Sequence, residues 1–182
     1  RNSSSAASDV YKRQVLYQAM LRASDAEKRA YIDGFAFRGD ARAAKAIAPH
    51  LKSDDADTVI QAANALALLG DSSVYSELNL ARTNAPDGSR AAIELAMLAT
   101  GADVSTCKSF ISSAANVGVA EAAFVALIKM DTTEAVSVLQ AAVDEAPSPL
   151  RSAMLGTAMT TPALQVILLK NLDSRAPEAV SY

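Results

Sequence analysis

Tryptophan is absent from the 182 residues, aromatic side chains make up only 5%, and there are only 7 glycines and 6 prolines. β-Sandwiches and barrels draw on aromatic and β-branched residues and on frequent Gly/Pro turns, so these shortages argue against them. A single cysteine, Cys107, excludes an intrachain disulfide, and a single histidine, His50, leaves no second imidazole for a His-based metal cage. No uninterrupted apolar run approaches the roughly 18 residues that span a bilayer, so membrane insertion is not expected. Charge of one sign is lacking too: 17 Lys+Arg stand against 20 Asp+Glu, a mildly acidic balance.

What is abundant is alanine, with 39 residues, inside a chain that is 51% apolar. That content is ample for a buried core, and alanine is the strongest helix former. The expected fold class is therefore all-α. A recurring pattern refines it. Phe37-Arg38-Gly39-Asp40-Ala41 returns as Leu69-Gly70-Asp71-Ser72, as Thr100-Gly101-Ala102-Asp103, and in weaker form as Lys129-Met130-Asp131-Thr132. Gly39 to Gly70 and Gly70 to Gly101 are each 31 residues, and Asp71 to Asp131 is 60. A period near 30 accommodates two short helices.

One unit shows why. In residues 54–69, Val59, Ala62, Ala63, Leu66 and Leu69 recur at spacings of three and four and form one helical face. Ser53 to Asp57 provide a cap and negative charge at the positive end of the helix dipole. Gly70 closes the helix in the left-handed conformation and Asp71 caps its successor, over about 72–83, which offers Val74, Leu78 and Ala81 for packing. Asn84-Ala85-Pro86-Asp87-Gly88 then breaks the chain.

The same grammar predicts helices over 24–37, 41–52, 88–99, 104–114, 117–130, 132–145, 148–159 and 162–173, with Val15 to Arg22 as the second helix of a preceding unit. Ser24-Asp25-Ala26-Glu27 has the capping-box pattern, which Asp131-Thr132-Thr133-Glu134 resembles. Pro162 suits a first turn, whereas Pro49, late in 41–52, should kink that helix or end its regular bonding near Ala48. Small residues at Ala62-Ala63, Ala91-Ala92 and Ala122-Ala123 are expected to let helices approach closely and stack.

The arrangement resembles the short bacterial HEAT-like repeat family, in which a helix opening Asp/Pro-x-Val-Arg-x-Ala-Ala is followed by Ala-Leu, Gly-Asp and a second helix. The resemblance covers nearly all of 24–173 and is clearest from Asp57 through Asp71 and at Pro149-Leu150-Arg151-Ser152-Ala153. Ile60 stands where that family usually has Arg, Met130 replaces the turn glycine, and the last unit has Thr160-Thr161-Pro162 in place of Gly-Asp. The resemblance implies an α-solenoid of about five stacked antiparallel helix pairs that presents an extended surface to a protein partner. It implies no shared chemistry and no cofactor.

The ends differ from the rest. Asp9-Val10-Tyr11-Lys12-Arg13-Gln14 resembles a translated transposon-end sequencing adapter, and Val180-Ser181-Tyr182 fits the opposite-strand adapter in another frame. Residues 1–14 are thus expected to be non-native, with a disordered native terminus as the alternative, and 180–182 a non-native tail. Residues 15–179 are read as a repeat domain, a metagenomic fragment of a longer array. That segment carries 14 basic and 19 acidic side chains, a net charge of −5. On this reading the N-terminus says nothing about compartment; a soluble chain in either cytoplasm or periplasm is compatible.

Candidates for chemistry are few. Cys107, on the Val104, Cys107, Ile111 face, is expected in the core, and His50 is expected to be exposed or to place a favourable charge at a helix end. Asp40, Asp54, Asp55, Asp57, Asp71 and Asp131 occupy cap positions, where a structural role is expected. Neither a phosphate loop nor a zinc or calcium spacing occurs. No catalytic, cofactor or metal residue is assigned.

Lys28, Arg29, Arg38, Arg42, Lys45 and Lys52 concentrate in the first complete unit, whereas Arg82, Arg90, Lys108, Lys129 and Lys170 are scattered. Without a continuous basic stripe or stacking aromatics, nucleic-acid binding is not expected. The leading expectation is a non-catalytic scaffold that binds a protein partner on its second helices, with Arg42, Lys45, Lys52, Arg82 and Lys108 as contacts. Two alternatives are an accessory subunit of a bilin lyase-type enzyme, as some HEAT-like families imply, and the repeat domain of a larger enzyme whose catalytic part lies elsewhere.

Overall fold

Every described segment with regular structure is helical. The computed structural model describes residues 3–113, 116–130 and 132–145, together with positions 152 and 156. Helix α1 spans Ser3–Arg22 and α2 spans Asp25–Phe37. The stretch 41–52 consists of a 3-10 turn at Ala41–Ala43, the short α3 at Ala44–Ile47 and a 3-10 segment at Ala48–Lys52. Then come α4 at Ala56–Leu69, a 3-10 turn at Ser72–Val74 and α5 at Tyr75–Thr83. The remaining helices are α6, Arg90–Thr100; α7, Val104–Ser113; α8, Val117–Met130; and α9, Thr133–Glu145.

These bounds follow from local chemistry. Glu27 reaches back to the start of α2, accepting from the Ser24 N–H at 2.8 Å and from its hydroxyl at 2.6 Å. Asp55 caps α4 by accepting from the Thr58 N–H at 3.1 Å. Gly70, at φ 61°, closes that helix with its N–H on the Leu66 carbonyl at 3.0 Å. Pro49 has no N–H to donate, and the α-helical ladder of 41–52 stops at Ile47, giving way to tighter 3-10 bonding. Helix α1 begins twelve residues before the expected Val15, its Ser/Ala-rich segment being compatible with helix. Of the helix expected over 148–159 only positions 152 and 156 are described, both helical and exposed; the helix expected over 162–173, Asp131 and the tail 180–182 lie outside the described residues.

The chain divides into two units, Arg1–Gly101 and Ala102–Tyr182. In the first, α2 packs on α4 and α4 on α6, while the 3-10 segment Ala48–Lys52 packs on α4 and α5, and α5 on α6. Ile32, Ile47, Val59, Leu66, Val74, Leu78, Ile93 and Met97 fill the space between them. Helix α1 joins through Met20, which is buried, and through Tyr17, whose ring lies 5.0 Å from that of Phe35. Buried Ala62 and Ala63 permit the close approach expected of small residues. In α6 that place belongs to Ala96: Ile93, Ala96, Met97 and Thr100 form the inward face, and Ala91 and Ala92 are only half-buried beside it. In the second unit α7, α8 and α9 pack on one another around Cys107, Phe110, Ala123, Phe124, Leu127 and Leu139.

Candidate functional site

The carboxylates that the sequence places at caps act as caps wherever they are described with a hydrogen bond. Asp71 accepts from the Ser73 N–H at 2.9 Å. Asp103, not among the carboxylates expected at caps, accepts likewise from the Thr106 N–H at 2.8 Å. Asp40 accepts from the Arg42 N–H at 3.2 Å and from its Nε at 3.0 Å. The Thr58 hydroxyl, followed by its N–H and the Arg29 guanidinium, holds the Asp55 carboxyl below its ordinary range. Hydrogen bonds from Ser73 do the same for Asp71, helped by the charge of Lys45. In Asp55 and Asp71 these contacts favour the ionised form, which suits a cap.

Helix α7 turns Cys107 fully inward, at 0% exposure. Burial, with the Asp103 charge nearby, pushes its thiol up to about 11, so the nucleophilic thiolate is scarce at neutral pH. His50 is half-buried near the end of the Ala48–Lys52 segment, more enclosed than expected. Among the described residues no group of three His, Cys, Asp or Glu side chains could hold a metal ion. No helix among them is long and apolar enough to cross a membrane.

The five basic residues expected to contact a partner have different surroundings. Arg42, Lys45 and Lys52 share the second-helix segment 41–52 and are exposed. Lys52 borders a groove of about 300 Å³ between that segment and α5, with Leu51 and Ala81 within and Leu80, Glu77 and Asp54 along it. Leu80 is 58% exposed there, an apolar contact available beside the charges. Arg82 is drawn elsewhere: its Nε donates to Glu94 Oε1 of α6 at 2.8 Å. Lys108 is exposed on α7 of the second unit.

Glu94 is the residue that sequence reasoning missed. It is 9% exposed and also accepts from Arg90 Nε at 3.2 Å, one turn earlier on α6. The Arg90/Glu94 spacing of four was a visible signal, but such pairs ordinarily mark solvated helix surface. Only the approach of Arg82 on α5 makes Glu94 an interior ion that ties two helices together.

No family model matches the chain, and no curated protein matches it.

Proposed function

We propose that the chain is a non-catalytic protein-interaction scaffold, an α-solenoid of HEAT-like helix pairs that binds a protein partner through its second helices. The observation that carries this reading is recurrence in the first unit. Gly39, Gly70 and Gly101, 31 residues apart, all adopt positive φ just after α2, α4 and α6, and these three helices pack in sequence order. A helix pair that leaves one apolar face open gains stability by stacking on the next, and the outcome is an extended surface.

The second-helix surface has the features of a modest interface: Arg42, Lys45 and Lys52 are exposed along the segment 41–52, and Lys52 lines a groove together with Leu80. Cys107 is buried and its thiol is pushed up to about 11, which suits a core position better than a nucleophile. Immobilised chain should retain a discrete protein from a bacterial lysate, and Arg42→Glu/Lys45→Glu should reduce its recovery. Equal recovery of every retained protein by the double variant removes these residues from the interface.

A further inference from the structure

We propose that the groove between α2 and α4 is a second docking site, which takes a basic amphipathic helix of a partner protein. This groove, about 540 Å³, lies wholly within the first unit and on residues separate from the second-helix surface. Its apolar contacts are Phe37, Ile60 and Leu68. Phe37 is 93% exposed and Leu68 77%, more than any other large apolar side chain among the described residues. Both stand two positions before a positive-φ glycine, Gly39 or Gly70, so the repeat itself delivers the pair to one groove. Two neighbouring side chains so fully wetted form a patch that an apolar partner would relieve.

Length and charge specify the occupant. From Asp57 to Leu68 the groove follows three turns of α4, about 17 Å of helix axis. Apolar anchors at i, i+4 and i+7 span about 10 Å of a helix and so fit within that length. Asp33 and Asp57 line the same groove, with the Asn64 amide between the ends of α4 as a polar contact. Neither carboxylate has a hydrogen bond or ion pair among the described residues. In contrast, the guanidiniums of Arg29, Arg42, Arg82 and Arg90 are already held by Asp55, Asp40 or Glu94. The groove thus has two exposed carboxylates without a side-chain partner among the described residues and no basic lining residue, so Lys or Arg beside the anchors is the complementary choice.

The inference shares with the scaffold reading only the premise that the chain binds proteins, and the test separates the two. Fluorescence anisotropy on the full chain would use two 14-residue helical peptides, one with leucines at i, i+4 and i+7 flanked by lysines, the other with glutamates replacing the lysines. The lysine peptide is expected to bind at least about tenfold tighter, a difference of roughly 1.4 kcal/mol. Phe37→Ser/Leu68→Ser should weaken it by a similar factor, and Asp33→Lys/Asp57→Lys should abolish or invert the preference. Leu68→Gln supplies the same direction of change if the serine pair loses helicity. Asp87→Lys, an exposed reversal outside the groove, should leave binding unchanged. Equal affinity for both peptides, or indifference to the Phe37 and Leu68 changes, overturns the groove proposal while leaving second-helix capture intact. A concentration-dependent dimer abolished by Phe37→Ser/Leu68→Ser also overturns it, assigning the groove to a second copy of the chain.

Discussion

Arg82 on α5 and Glu94 on α6 meet at 2.8 Å across the turn that separates their helices, and Glu94 is the more deeply enclosed of the two. The carboxylate gives up most of its water in exchange for two guanidinium donors, Arg82 and Arg90. Removing the donors and removing the acceptor are therefore unequal changes. Glu94→Ala leaves two partly exposed guanidiniums that can rehydrate, whereas Arg82→Ala leaves an enclosed carboxylate with one remaining, longer bond. Each should destabilise by about 1.5–3 kcal/mol, with Arg82→Ala the worse per bond lost. Urea denaturation of both, with the Arg82/Glu94 double variant closing a cycle, measures the coupling; a coupling near zero would mean the pair is only a surface contact.

Cys107 should be inert in the folded chain. Its thiol is enclosed in α7 and its ionisation is pushed from 9.0 to about 11. A thiol-specific disulfide reagent should label it slowly at neutral pH and rapidly after unfolding in urea. The sign of the pH effect follows: the unfolded thiol ionises near 9.0, while the folded one holds its proton to about 11. Stability from this group is complete below the unfolded value and declines as pH rises through that window. Cys107→Ala should flatten the alkaline decline; an unchanged slope would exclude the thiol as its cause.

At acid pH the caps dominate. Hydrogen bonds from Ser24 lower Glu27, those from Thr58 lower Asp55, those from Ser73 lower Asp71, and those from Thr106 lower Asp103. A depressed folded value contributes stability above the unfolded value, and that stability is lost as pH falls through the folded one. The unfolded values are 4.5 for Glu27 and 3.8 for the aspartates, so the melting temperature should begin to fall near the former and keep falling below the latter. Asp103→Asn keeps an acceptor for the Thr106 N–H and should weaken the dependence, whereas Asp103→Ala removes the cap and should destabilise by about 1 kcal/mol at neutral pH. A melting temperature that is flat across the acid range would rule out these caps as the source.

Helix positions were largely legible before the structure because α4 and α5 carry their instructions locally. Val59, Ala62, Ala63 and Leu66 mark one face, Asp55 and Asp71 mark starts, and Gly70 marks an end. The 3-10 turn Ser72–Val74 was not legible, since a cap followed by a tight first turn has the same sequence pattern as a cap followed by an α-helix. The true inward face of α6 was available in the spacing of Ile93, Ala96, Met97 and Thr100, but the Ala91-Ala92 doublet drew attention to small size over periodicity. The burial of Glu94 could not be read at all, because it depends on where α5 lies. For the same reason Arg82 was grouped with Arg42 and Lys45 as a surface contact: side chains alone do not disclose a partner twelve residues away.

Two glycines in neighbouring helices predict opposite outcomes for the same substitution. Gly34 lies inside α2, exposed, with no atom within 4 Å of an added Cβ. Gly34→Ala should therefore stabilise by about 0.5–1 kcal/mol, since alanine reduces the freedom of the unfolded chain and meets no obstacle in the folded one. Gly70 also has room, its nearest neighbour being the Ala99 carbonyl oxygen at 3.9 Å, but its φ of 61° is left-handed. There an added Cβ crowds its own backbone, and Gly70→Ala should destabilise by about 1–2 kcal/mol. Because the difference lies in φ and not in space, Gly70→Asn should recover part of the loss, asparagine tolerating this conformation better than alanine does. Thermal or urea unfolding of the three variants would decide: equal stability of Gly70→Ala and the parent chain would mean that the α4 terminus does not need the left-handed turn.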